Sequence, residues 1–316
     1  MRRKLVKQGH NTLTMSLPRK WCERNKLEEG EDIDVIEKGE YLLLSKEISK
    51  GAGKVSVDVT GLDRSTIILL IASLYRYGYD FISIITKDRK AVYHLHDKEV
   101  NIQSIIHFAV SRLLGAEIVS STNESFKIEV IAEESREKFD TVLRRIFRLL
   151  IEMFEGFIEG IKKKDKAAIE NVLLQHENIK KFINYGLRLL NKFGYKDAEK
   201  TTFYFSIISF LEKIDEIIKN FSGYVINEGT LNLSKKFSSL LEEILNSTKL
   251  YYNLFYKYDI KQISQLHKNR DLFKRRLYKS YKDLSKDDLF VLSNMMQIFD
   301  TLLDLTEQRM AIGYSD

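Results

Sequence analysis

The side chains best placed to do chemistry lie in the first twenty residues. Arg2, Arg3, Lys4, Lys7, Arg19 and Lys20 surround Gln8, His10 and Asn11, and the segment KQGHNTLTMSLPRK (7–20) also holds the single proline of the chain, Pro18. Cations neutralise phosphates, and amide and imidazole groups reach phosphates or base edges, so this set suits double-stranded DNA. Residues 1–26 carry eight Lys/Arg against one acid, Glu23, whereas residues 27–50 carry eight acids against three bases. The other reading of this dipolar segment is a small oligomerisation module whose lysines are ordinary solvated charge.

Elsewhere the chemistry thins out. A second basic run, KNRDLFKRRLYKSYK (268–282), reads as an exposed amphipathic helix with Leu272, Phe273, Leu277 and Tyr281 turned inward, or as a surface for an anionic partner. His94 and His96 fall on one face of an expected strand, but a zinc site needs about four ligands and nothing nearby completes one. Cys22 follows Trp21 in a short helix and has no histidine partner in view. The chain lacks a P-loop, a dinucleotide-binding glycine fingerprint, a nucleophile elbow and a kinase motif set, so the residues give no support to an enzyme.

The 316 residues are 44% hydrophobic and 30% charged, with a net charge of +6, which is a folding composition compatible with anionic partners. There is no apolar run of the roughly 18 residues that a membrane-spanning helix requires. One cysteine forms no internal disulfide, and a reducing cytoplasm is the natural compartment.

Three regions must position these groups. Residues 1–47 read as strands at 5–8, 12–17, 33–38 and 41–45, with a helix over 19–26 and turns at Gly9-His10, Gly30 and Gly39. In the second strand Leu13, Met15 and Leu17 alternate with polar residues, which predicts one buried face. Pro18 stops that strand and suits the first turn of the helix. Four strands and a two-turn helix bury too little to be stable alone, so a second copy is expected to pair with them. After a linker at 48–53, residues 54–132 read as a small α+β domain, of ferredoxin-like order, with helices at 62–78 and 101–115 closed by Gly78 and Gly115.

From residue 133 to 316 the periodicity is helical throughout. Helices are expected near 133–164, 166–193, 196–224, 230–258, 260–283 and 286–312, with Asp165, Gly194, Gly229, Asp259 and Ser285 at the breaks. Superposing 163–183 on 257–277 aligns Asp165 with Asp259, Ile169 with Ile263 and Glu177 with Asp271, which suggests two tandem three-helix repeats, 133–226 and 229–316.

Two resemblances sharpen these expectations. The segment KQGHNTLTMSLPRKWCERNKLEEGEDIDVIEKGEYLLL (7–44) resembles the AbrB/MazE/SpoVT swapped-hairpin family in its Gly9–Thr12 turn, Leu17-Pro18, short helix, Gly30-Glu31 turn and final hairpin around Gly39. That likeness implies an intertwined homodimer that touches DNA through Arg2, Arg3, Lys4, Lys7, His10, Asn11, Arg19 and Lys20. The stretches VLLQHENIKKFINYGLRLL (172–190), YFSIISFLEKIDEII (204–218) and VLSNMMQIFDTLLDLTEQ (291–308) are similar to the PhoU family of phosphate-signalling proteins, whose archaeal members carry such a module in front. PhoU repeats hold divalent or ferric metal ions on acidic pairs four residues apart, which implies a role for Glu212 with Glu216 and for Asp300 with Asp304. The pattern departs where His176, Asn178, Lys180 and Met296 stand, and a solvated acidic face is the alternative. The resemblances imply a transcriptional regulator linked to phosphate uptake. The rival is an adaptor that regulates a phosphate transporter or kinase by protein contact and uses its first module only to dimerise.

Overall fold

The computed structural model describes residues 2–38, 41–45, 53–228 and 235–313. The chain divides into two compact units, Met1–Ala52 and Gly53–Asp316. Nine helices hold most of the described residues, with short strands in both units.

The first unit is two hairpins and a helix. Strands β1 (Val6–Gln8) and β2 (Thr12–Thr14) pair antiparallel around Gly9, whose φ of +70° is cheap only for glycine. The Thr14 hydroxyl donates to the Val6 carbonyl across the pair. Pro18 sits at the N-cap of α1 (Arg19–Arg24) rather than inside its first turn, and its carbonyl accepts from the amides of Trp21 and Cys22. Strands β3 (Asp34–Lys38) and β4 (Tyr41–Ser45) form the second hairpin. The turn at Gly39 and the linker at 48–52 lie outside the described residues, as does the helix break at Gly229. The buried face expected of Leu13 and Met15 is open instead: Leu13 is 63% exposed, and Val6, Val35 and Leu42 are similarly bare. A two-stranded ribbon has no second layer to bury against, so alternation alone cannot make a core.

In the second unit a helix layer separates a sheet from a helical bundle. Strands β5 (Gly53–Asp58) and β6 (Tyr79–Ile85) are joined by α2 (Arg64–Tyr77), which Asp63 caps by accepting the Ser65 and Thr66 amides and which ends at left-handed Gly78. Strands β7 (Lys90–Tyr93) and β8 (Lys98–Asn101) form a separate hairpin before α3 (Ile102–Ser111). Strands β9 (Ala116–Ser121) and β10 (Ser125–Val130) complete a sheet ordered β5-β6-β10-β9. The ferredoxin-like order is therefore not what forms. In that split arrangement a strand separates the two parallel ones. Here Val55 and Val57 of β5 sit directly against Ile82 and Ile84 of β6, and Ala91 is the sole buried residue of the β7–β8 hairpin, too little to hold it in the sheet. His94 and His96 lie in an exposed 3-10 turn between β7 and β8, not on one strand face. Helix α3 stops at Ser111, four residues before Gly115; that glycine (φ +73°) instead brings β9 against Ala132, where a Cβ would collide.

The bundle comprises α4 (Phe139–Lys163), α5 (Lys166–Phe193), α6 (Thr201–Glu228), α7 (Lys235–Tyr256), α8 (Ile260–Ser280) and α9 (Lys286–Gly313). The first three pack on one another, as do the last three, and α4 meets α7 while α6 meets α9. Asp165 and Asp259 each cap the second helix of their trio, and Ser285 exchanges hydrogen bonds with Asp288 in a capping box at the start of α9. Residues 133–138 do not join α4 as expected, because Glu134 and Arg136 are drawn off to bond Arg188 and the Phe193 carbonyl. Tyr281, expected inward, is 61% exposed, since α8 ends at Ser280 and the chain turns there. The sheet, α2, α3 and the bundle share one compact unit, with α2 packed on both β6 and α5, so no division between compact units falls at 132/133.

Candidate functional site

The N-terminal basic residues are all presented to solvent. Arg2, Arg3, Lys4, Lys7, His10, Asn11, Arg19 and Lys20 are exposed, and none of residues 2–35, 42 and 44 is buried. Arg19 pairs with Glu23 one helical turn away. The other five cations have no carboxylate partner among the described residues. This is a face of unneutralised charge on a hairpin-and-helix surface, able to sit against polyphosphate.

A second constellation lies deep in the helical unit, and its frame is one side of α5. His176, Lys180, Asn184 and Arg188 are buried, Lys192 is half-buried, and each lies four residues from the next. Four residues overshoot a helical turn by roughly 40°, so this polar stripe winds slowly around α5 and meets different neighbours along its length. At its start His176 Nδ1 lies 2.9 Å from Asp215 Oδ2. Next, Lys180 donates to Glu212 and, at 2.9 Å, to Glu216. Arg76 of α2 clamps Glu212 with both terminal nitrogens and donates to the Asn184 side chain. Farther along, Arg188 donates to the Tyr75 and Tyr79 carbonyls, to Glu134 and to Asp80, while its guanidinium lies 4.7 Å from the centre of the Tyr75 ring. Lys192 shares Asp80 and Glu134 with it. Beside the stripe, Arg112 of α3 forms a bidentate pair with Glu177.

The electrostatics follow from this geometry. Burial pushes the Glu212 carboxyl up, but Lys180 and Arg76 outweigh it and hold its pKa below the ordinary value. Glu216 is likewise raised by burial and brought below its ordinary value chiefly by Lys180. Burial works against the Lys180 ammonium, and the two glutamates overcome it, so that group stays charged. Asp215 differs: burial dominates and raises its pKa against the hydrogen bond from His176, and its Oδ1 is buried without a protein partner.

Of the four acids singled out for metal, Glu212 and Glu216 are thus already neutralised by the cations of α5 and α2. Asp300 and Asp304 lie exposed on α9, where Asp300 faces Lys274 at 3.5 Å. Among the described residues, the group able to hold an ion is His176, Asp215 and Glu216, whose ligand atoms lie within 4.8 Å of one another. Lys180 stands beside it as a built-in positive charge that a divalent ion has to displace. The sequence signal for this network is the run His176-x3-Lys180-x3-Asn184-x3-Arg188-x3-Lys192, a polar stripe on a helix otherwise rich in leucine and isoleucine. Nothing in the sequence points to Asp80 or Glu134 as its partners. Comparison with family models, with curated proteins and with solved structures returns no match to the chain.

The stripe generates three expected outcomes. Arg188→Ala leaves the half-buried Asp80 and Glu134 with only Lys192 as countercharge and is expected to destabilise the protein by about 3 kcal/mol in urea unfolding. Because Glu212 and Glu216 have folded pKa values below the ordinary 4.5, their contribution is complete above that pH and is lost as pH falls through the folded values. The melting temperature should therefore drop on acidification below about 4.5, and Glu212→Gln should melt lower at neutral pH with a shallower acid dependence. In Lys180→Met the acids lose their ammonium, so Mn2+ should raise the melting temperature of this variant by several degrees and leave the unsubstituted protein nearly unchanged.

Proposed function

We propose that the protein is a DNA-binding transcriptional regulator linked to phosphate uptake or signalling. Residues 1–47 bind double-stranded DNA as a homodimer, and the helical bundle senses or transmits the signal. The observation that carries the DNA reading is the condition of the first unit. None of residues 2–35, 42 and 44 is buried, Leu5, Val6, Leu13, Met15, Val35 and Leu42 stand open, and five cations near its first hairpin lack a carboxylate among the described residues. A second copy covers Leu13, Met15, Val35 and Leu42 and doubles the basic face, which supplies the core and the charge together. The link to phosphate rests on the likeness of residues 172–190, 204–218 and 291–308 to PhoU sequences. Regulation then proceeds by mass action: a ligand or partner that prefers one arrangement of the bundle changes the affinity of the paired modules for DNA.

The salt dependence of DNA affinity tests this directly. The intact protein should shift duplex DNA at low salt, and replacing Arg2, Arg3 and Lys7 by alanine should weaken binding. The same change should flatten the slope of log affinity against log salt by about 1 for each phosphate left without its cation. If the intact protein shifts no DNA at low salt, the adaptor reading replaces this one, with the first unit serving assembly alone.

A further inference from the structure

A cavity of about 430 Å³ opens where the two helix trios meet, lined by α4, the 194–200 connection, α6, α7 and α9. Its size falls within the roughly 300–1,000 Å³ of small-molecule sites, more room than a lone oxyanion needs. Its lining is chemically two-sided. Arg144, Lys196, Lys200 and Arg309 face it against two acids, Asp140 and Asp197, and three tyrosines share the wall.

The cations are not equivalent. Lys196 lies 3.6 Å from Asp140, and Lys200 lies 3.3 Å from Asp197. Arg144 and Arg309 have no carboxylate partner among the described residues. The Arg144 guanidinium lies 4.8 Å from the Tyr256 ring centre, and that of Arg309 lies 4.6 Å from Tyr258, with its Nε donating to the Phe255 carbonyl. A guanidinium seated on an aromatic face keeps its outer N–H groups directed away from the ring, ready for a bidentate anion. Tyr195 and Tyr204, both buried, pack on each other at the back of the wall with ring centres 4.0 Å apart, and the Tyr195 hydroxyl is 3.2 Å from Asp140, which leaves Tyr256 as the exposed ring. Burial, against the pull of Arg144, pushes the Tyr256 hydroxyl up to about 12, so this tyrosine remains a neutral donor at physiological pH.

We infer that this cavity binds a mononucleotide, with its phosphates held between Arg144 and Arg309 and its base laid against Tyr256. Two guanidiniums without a carboxylate among the described residues match a polyanionic group, the exposed Tyr256 offers ring surface beside them, and Asp140 and Asp197 supply acceptors for ribose hydroxyls or an exocyclic amine. Binding here joins α4 and α6 of one trio to α7 and α9 of the other, so a ligand that prefers one packing of the trios shifts the bundle toward it. That this makes the cavity the effector site of a regulator rests on the function proposed above; the binding itself does not.

Calorimetry on the full chain tests the site without DNA. ADP should bind, and both pyrophosphate and adenosine should bind at least tenfold more weakly. Arg144→Ala, an exposed position, should lower ADP affinity at least tenfold without changing the melting temperature of the free protein. Because Arg309 also holds the Phe255 carbonyl, Lys196→Ala is the second variant, with a smaller expected loss. No heat with ADP at millimolar concentration, or equal ADP affinity in Arg144→Ala, overturns the site. Equal affinity for ADP and pyrophosphate overturns the nucleotide assignment. If ADP binds while the intact protein shifts no DNA, the site stands and the regulator reading falls.

Discussion

Arg188 is the charge on which the second unit depends. Fully buried, it is tolerable only because five acceptors converge on it: the Tyr75 and Tyr79 carbonyls, both oxygens of Glu134 and Asp80. Those acceptors come from the end of α2, the start of β6 and the segment leading into α4. Satisfying one guanidinium therefore sets where the sheet layer meets the bundle. An apolar contact of the same area tolerates sliding, because the hydrophobic effect has no direction. A buried guanidinium with this many fixed partners does not, because a displacement of an ångström leaves donors and carboxylates unpaired at a cost of several kcal/mol.

The remainder of the α5 stripe extends the same logic toward α6 and α3. Lys180 and Arg76 share Glu212, Asn184 receives Arg76 and donates to the Arg112 carbonyl, and Arg112 holds Glu177. The sheet layer and the bundle are thus joined by alternating charges as well as by one apolar core that runs through both, and they form one compact unit. The end of the stripe at His176 and Asp215 is less complete, with one carboxylate oxygen unpartnered beside an ammonium. It is the place where this network has capacity for one more ligand.

The first unit follows the opposite design. Its first hairpin carries apolar residues in strand alternation but buries none of them, and Val35 and Leu42 of the second stand exposed. Of Arg2, Arg3, Lys4, Lys7, Arg19 and Lys20, only Arg19 has a carboxylate partner among the described residues, Glu23. Both features ask for something outside the single chain: a second layer for the leucines and valines, and an anion for the arginines and lysines.

Much of the architecture was legible because it rests on local rules. The helix breaks followed from Asp165, Gly194, Asp259 and Ser285, and the proline marked the start of α1. The misreadings came where partners distant in sequence decided the matter. The order of the sheet was settled by β10 pairing with β6 and by the polar β7–β8 hairpin staying outside. The start of α4 moved to Phe139 because Glu134 was recruited by Arg188, 54 residues away. The four acids chosen from i,i+4 spacing turned out to be two neutralised glutamates and two exposed aspartates, since spacing reports which residues share a helix face but not which cation lies opposite. By itself, then, the sequence determined the elements and their ends, because caps, glycines and periodicity act within a few residues. Only the tertiary structure decided which buried charges meet and where the nucleotide-sized cavity opens, because those depend on side chains brought together from helices and strands far apart in the chain.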